Sequence, residues 1–166
     1  FADADLAAAA EAIAIAGYFN AGQDCTAATR VIVQDSVYEE FVALLTKQAK
    51  AVAIGAPADE DVFLGPVNNV NQLARVSDLL SRVPSHAQVM AGGSALDRPG
   101  FFFPATVVAG LRQDDELIQK EIFGPVITVQ KFSDEAQAVS MANGVEYGLA
   151  SSVWTANHGT AMRMAK

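Results

Sequence analysis

Short β-branched runs alternate with amphipathic segments of helical period along the chain, and this alternation constrains the fold more than any other feature. Arg30-Val31-Ile32-Val33-Gln34 reads as a strand, because branched side chains are stiff at χ1 and pack well on a pleated surface. Ala87 to Ala91 reads as another before the Gly92-Gly93 turn, and Val126 to Phe132 as another right after Pro125. Phe101 to Val108 is extended and aromatic, interrupted by Pro104, and Ser151 to Thr155 is one more strand. Between these lie helices. Asp5 caps one from Leu6 to about Phe19, which Gly22 stops. Ser36 caps the next, with Val37, Phe41, Leu44, Leu45, Gln48 and Val52 along one face, ended by Gly55-Ala56-Pro57. Asn68 or Asn69 caps a third, which buries Val70, Leu73, Val76, Leu80 and Val83 and breaks at Pro84. Glu116 to Lys120 suits a short helix, Ser133 caps one ending near Gly144, and a last helix starts near Asn157. Strands interleaved with such helices predict an α/β fold, a largely parallel sheet flanked by helices.

Length and charge narrow the function classes. A chain of 166 residues with 51% hydrophobic content supports one packed core and excludes disorder. No internal repeat, low-complexity linker or composition shift marks a second domain. The net charge of −8 repels phosphate backbones and anionic lipid heads, so neither nucleic acid nor a membrane surface is an expected partner. No apolar stretch is long enough to span a bilayer, and Leu6 to Phe19 contains Glu11 and lacks a basic lead-in, unlike a signal peptide. A single cysteine cannot staple its own chain, which points to a reducing compartment, the cytoplasm being the simplest. The chain opens mid-pattern at Phe1 without an initiator methionine and closes inside the helix-like run Thr160 to Lys166. Both ends look cut, as in a piece of a longer protein.

Two segments carry the chemistry. In Gly22-Gln23-Asp24-Cys25-Thr26, the glycine permits a tight turn. If a helix begins at Thr26, its unpaired N–H groups favour a Cys25 thiolate and hold a developing oxyanion. The competing reading of Cys25 is a small buried hydrophobe. In Lys120-Glu121-Ile122-Phe123-Gly124-Pro125, a carboxylate at a helix end beside a turn can reach the hydroxyls of a ribose, and Phe123 can pack on a flat ring. Against this stand an exposed helical glutamate and a core phenylalanine.

Taken together, these segments resemble the aldehyde dehydrogenase superfamily. Four blocks occur in that family's order: Phe19-Asn20-Ala21-Gly22-Gln23-Asp24-Cys25 with Thr26 following, Leu64-Gly65-Pro66, Glu121-Ile122-Phe123-Gly124-Pro125, and Tyr147-Gly148-Leu149-Ala150-Ser151. Cys25 and Glu121 stand 96 positions apart, also in keeping with the family. The Asn-Ala-Gly-Gln-Asp-Cys-Thr-Ala variant is most similar to the 4-aminobutyraldehyde branch. The resemblance implies the catalytic portion of an NAD- or NADP-dependent oxidoreductase. Cys25 would be the nucleophile and its N–H an oxyanion donor. Glu121 would bind the nicotinamide-side ribose, with Phe123 packed nearby and Leu149 lining the nicotinamide pocket. The family's general base, second oxyanion donor and dinucleotide-binding domain have no counterpart in residues 1–166. The fragment is therefore expected to be inactive alone, and the full-length protein is expected to be a homo-oligomer.

Other residues have paired readings. Asp24 can attract the ammonium of an aminoaldehyde or cap its own turn. Tyr18 and Phe19 can line an aromatic substrate tunnel or belong to the core, and Trp154 can line the same pocket or pack in a strand. His86 and His158 have no partner at metal-ligand spacing, so no metal is expected. Asp59-Glu60-Asp61 reads as an exposed loop and Asp114-Asp115-Glu116 as a solvated helix start. The runner-up is another branch of the same superfamily, acting on betaine aldehyde or succinate semialdehyde. Rival classes are a cysteine hydrolase or acyltransferase, which would need a histidine beside Cys25, and a non-catalytic oligomerisation module.

Overall fold

A computed structural model describes residues 1–165. Its strands, β1 (Arg30–Gln34), β2 (Gln88–Ala91), β3 (Thr106–Ala109) and β4 (Val126–Phe132), form one sheet in the order β1-β4-β3-β2. β4 is central and parallel to both neighbours, with Val31 opposite Val129 on one side and Val107 opposite Ile127 on the other. β2 joins antiparallel at the β3 edge, with a register shift between Val89 and Ala91. The largely parallel sheet expected from the alternation is present.

β4 shows why its sequence carries no alternation of polar and apolar residues. Every residue in it except Lys131 is buried, because helices cover both faces. On one face Ile127 meets Gly17 of α1 (Leu6–Tyr18), which packs beside α2 (Tyr38–Ala51). On the other, Phe132 clusters with Ala138 and Met141 of α5 (Glu135–Ala142). α1 is rich in alanine and buries Ala9, Ala10, Ile13, Ala14, Gly17 and Tyr18, so its backbone lies close to the sheet. Asp5 caps it as expected, accepting from the Ala8 N–H at 3.0 Å. α3 (Val70–Ser81) is capped by Asn69, α4 (Glu116–Gln119) is a single turn, and α6 (His158–Met164) is capped by Asn157.

Several boundaries differ from the sequence reading. Ser36 caps nothing: a 3-10 turn over Asp35–Val37 precedes α2, and Glu39 and Glu40 supply the favourable charge in its first turn. Asp134, not Ser133, caps α5, and Ser133 bonds Gln137 instead. The expected strand at Ser151 to Thr155 is not a strand: the segment has no regular structure, and no neighbouring strand pairs with it among the described residues. It is held by the chain's own start: the Phe1 amino group donates to the Trp154 carbonyl, and Asp3 accepts from Thr155 Oγ1 and the Asn157 N–H.

Candidate active site

The chain leaves α1 through Phe19–Gly22, where Asn20, Ala21 and Gly22 all have left-handed φ, 50°, 57° and 66°. Such conformations are costly for residues with a Cβ. Asn20 offsets the cost by donating from Nδ2 to the Gln23 carbonyl at 3.0 Å and accepting the Gln23 N–H at 3.1 Å. Gly22 has a second reason to be glycine: a methyl there would fall on the carbonyl of Gly124. The Cys25 turn and the Glu-Ile-Phe-Gly-Pro turn therefore touch backbone to backbone. Cys25 follows Gly22 by three residues, and Glu121 precedes Gly124 by three.

α3 joins the two. Gln23 Oε1 accepts the Asn68 N–H at 2.8 Å, tying the cysteine turn to the chain just beyond Leu64-Gly65-Pro66. Gln72 Nε2 donates to the carbonyls of Ile122 at 3.1 Å and Phe123 at 2.6 Å, and Arg75 donates to the carbonyl of Glu121. Phe123 itself has a φ of 57°. Val76 of the same helix fills the space over Gly124.

Cys25 is exposed, which disposes of the buried-hydrophobe reading. No helix begins at Thr26, however. Residues 25 and 26 form a turn and the next regular element is β1. The helix-terminus account of thiolate and oxyanion stabilisation is thus corrected. The Thr26 N–H is spent on Asp24 Oδ1 at 2.8 Å, whereas the Cys25 N–H meets no acceptor among the described residues. The same Asp24 oxygen accepts Thr26 Oγ1 at 2.8 Å. These two bonds, the backbone one first, hold the Asp24 carboxyl below the ordinary carboxylate range. Asp24 caps its turn with one oxygen and keeps the other free of intramolecular bonds among the described residues.

The aromatic pair divides. Phe19 is 58% exposed, while Tyr18 is 0% exposed and donates to the Thr106 carbonyl at 3.1 Å. Tyr18 is therefore a core residue and not a lining residue, and burial pushes its phenol well above the ordinary range. Trp154 packs against the core from the Phe1 end. Glu121 is exposed and Phe123 partly buried. Leu149 is 70% exposed and Tyr147 47% exposed, on a segment without regular structure. His86 pairs with Asp115 at 2.9 Å, a structural contact at the start of α4. The holding residues Gln72 and Arg75 have no signature in the sequence, since each acts upon backbone atoms far away in the chain, whereas Gln23 lies within the cysteine motif without its bond to Asn68 being legible there.

The aldehyde dehydrogenase family model matches residues 1–166. The chain belongs to the aldehyde dehydrogenase family. It is 40% identical over 166 residues to lactaldehyde dehydrogenase of Escherichia coli, covering 99% of this chain and 35% of that protein. It is 34% identical over 160 residues to betaine aldehyde dehydrogenase of Bacillus subtilis, covering 93% of this chain and 33% of that one. Among solved structures, the E. coli lactaldehyde dehydrogenase superposes with a TM-score of 0.95 at 39% identity, covering 98% of this chain and 35% of the other. A Staphylococcus aureus betaine aldehyde dehydrogenase in complex with NAD+, carrying a BME-modified cysteine, gives 0.94 at 34% identity, covering 98% and 34%. The chain spans about a third of the length of the curated relatives it matches. Among the described residues no helix is long and apolar enough to cross a membrane.

Proposed function

We propose that this chain is the cysteine-bearing catalytic portion, residues 1–166, of an NAD- or NADP-dependent aldehyde dehydrogenase, whose dinucleotide-binding domain lies outside it. The observation that carries the reading is the contact between Gly22 and Gly124, which sets the Cys25 turn against the Glu121 turn. An exposed thiol and an exposed carboxylate then flank one junction.

The Cys25 thiolate adds to the aldehyde carbon. A carbon–sulfur bond forms and the carbonyl π pair moves to oxygen, giving a tetrahedral thiohemiacetal. The uncommitted Cys25 N–H is an oxyanion donor for that oxygen. NAD or NADP, when bound, supplies the two-electron acceptor. Once the C–H hydrogen leaves as hydride to that acceptor, the oxygen's electron pair re-forms the carbonyl as a thioester on Cys25, which water cleaves to the carboxylic acid, returning the thiol. Glu121 suits the ribose hydroxyls: its side chain is exposed while Arg75 pins its own carbonyl. Phe123 and Leu149 offer apolar surface to the nicotinamide ring, and an uncovered leucine on an irregular segment fits a face completed by a ligand.

For substrate, the reading is 4-aminobutyraldehyde or a similar aminoaldehyde. Asp24 remains ionised and attracts an ammonium, and the exposed ring of Phe19 lines the approach. A betaine aldehyde is the second reading, favoured by the relatives of that name and served by the same charge argument. The test is a panel on the full-length protein comparing amino, betaine, lactic, carboxy and neutral aldehydes. The expected result is NADH formation with the highest kcat/KM for the aminoaldehyde, abolished in Cys25→Ala. A flat panel would remove the substrate assignment, and turnover by Cys25→Ala would remove the mechanism.

A further inference from the structure

The segment carrying Tyr147 to Leu149 has no helix or strand of its own. Its origin is fixed at the exit of α5 by donors from elsewhere. Gln113 Nε2 and Gln119 Nε2 both donate to the Gly144 carbonyl, at 2.8 and 2.9 Å, using both of its lone pairs. Gln119 Nε2 also donates to the backbone carbonyl of Gln113 at 2.6 Å, which ties the Gln119 side chain to the Gln113 backbone. Arg30 donates to the carbonyls of Met141 and Ala142 at the end of α5, the first of which also accepts the Gly144 N–H at 3.1 Å, and to Gln113 Oε1 at 3.2 Å.

The placement of these donors is informative. Gln119 closes α4 two positions before Glu121, and Arg30 opens β1 five positions after Cys25. The segments bearing the nucleophile and the ribose carboxylate thus grip the segment bearing Leu149. The exposed Lys120–Glu146 pair spans the same gap at 3.8 Å and adds little.

We infer that Gln119, seconded by Gln113, is a positioning residue that sets the Leu149 segment relative to Glu121 and so tunes nicotinamide affinity. The inference rests on the reading of Glu121 and Leu149 as nicotinamide-side contacts. Leu149 is too exposed to be located by its own packing, so the bonds at Gly144 locate the stretch that leads to it. Loosening them leaves Cys25 and its turn untouched.

The experiment uses the full-length enzyme and titrates NADH by fluorescence. Gln119→Met, which removes the donor at nearly constant volume, is expected to weaken NADH binding about tenfold, the scale of a small misplacement in a positioned site. The KM for NAD rises with it, while the aldehyde KM and the rate of Cys25 alkylation by iodoacetamide stay within about twofold, the change expected of a site left in place. Gln119→Lys, which restores an N–H donor, recovers most of the affinity. Unchanged NADH affinity in Gln119→Met overturns the inference. So does a joint fall of affinity, alkylation rate and Tm that Gln119→Lys fails to recover. Should Gln119→Met not fold, Gln113→Met reaches the same carbonyl and carries the same expectations. Leu149→Ala and Glu121→Gln separate the two levels. If they weaken NADH binding and Gln119→Met does not, positioning alone fails. If none of the three does, the nicotinamide reading fails with it.

Discussion

Gln72 on α3 holds the carbonyl of Phe123, 2.6 Å away, at a residue whose φ is 57°. A non-glycine residue in the left-handed region costs on the order of 1 kcal/mol, and the two bonds from Gln72 to Ile122 and Phe123 offset it. Gln72→Ala is expected to lower unfolding stability by about 1–2 kcal/mol, measured by urea denaturation of the full-length protein. Phe123→Gly in that background should recover part of the loss, because the left-handed φ then costs nothing. No recovery would mean that strain at Phe123 is not what Gln72 offsets.

At Gly22 the expected effect is larger. Gly22→Ala meets both a positive φ and the Gly124 carbonyl, which is backbone and cannot swing aside. A loss of more than about 2 kcal/mol follows, since strain and overlap add. Thermal denaturation reads the loss, and iodoacetamide labelling of Cys25 should change rate in the folded fraction, because the turn that presents the thiol has to shift.

The sheet, its parallel pairing and most helix starts are legible in the sequence because they depend on local pattern. Val126 to Phe132 reads as a strand from its branched residues, Asn68 or Asn69 as a cap from residue type, with Asn69 the one that caps, and the neighbourhood of Asn157 as a helix start. What fails is what depends on partners. Ser151 to Thr155 has strand composition but no strand beside it, and Ser133 lost the cap to Asp134, one residue on. The site divides the same way. Cys25, Glu121 and Leu149 stand out through the motifs they sit in. Gln72 and Gln119 are invisible, because a glutamine that bonds a carbonyl tens of positions away looks like any surface glutamine.

Asp24 provides a test in pH. Its folded carboxyl titrates below the ordinary value, so it contributes stability that is present above the unfolded pKa and lost as pH falls through the folded one. Thr26→Val removes the hydroxyl bond and leaves the backbone one, so the carboxyl should rise only part of the way back. Carboxyl-carbon NMR of aspartate-labelled protein reads this directly. An Asp24 that titrates with the other exposed aspartates in the wild type would contradict the bonding.

Tyr18 separates a core role from a substrate role. The ring lies within the main core, and its hydroxyl spends its proton on the Thr106 carbonyl. Tyr18→Phe leaves that buried carbonyl short of a partner at almost unchanged volume. The expected cost is about 1–2 kcal/mol in unfolding free energy, seen as a lower midpoint in denaturant with an unchanged slope. Because the ring is sealed from solvent, the KM for every aldehyde in the panel should stay put. The opposite pattern, a raised KM for aminoaldehydes with stability intact, would mean that the phenol reaches the substrate when the remainder of the protein is in place.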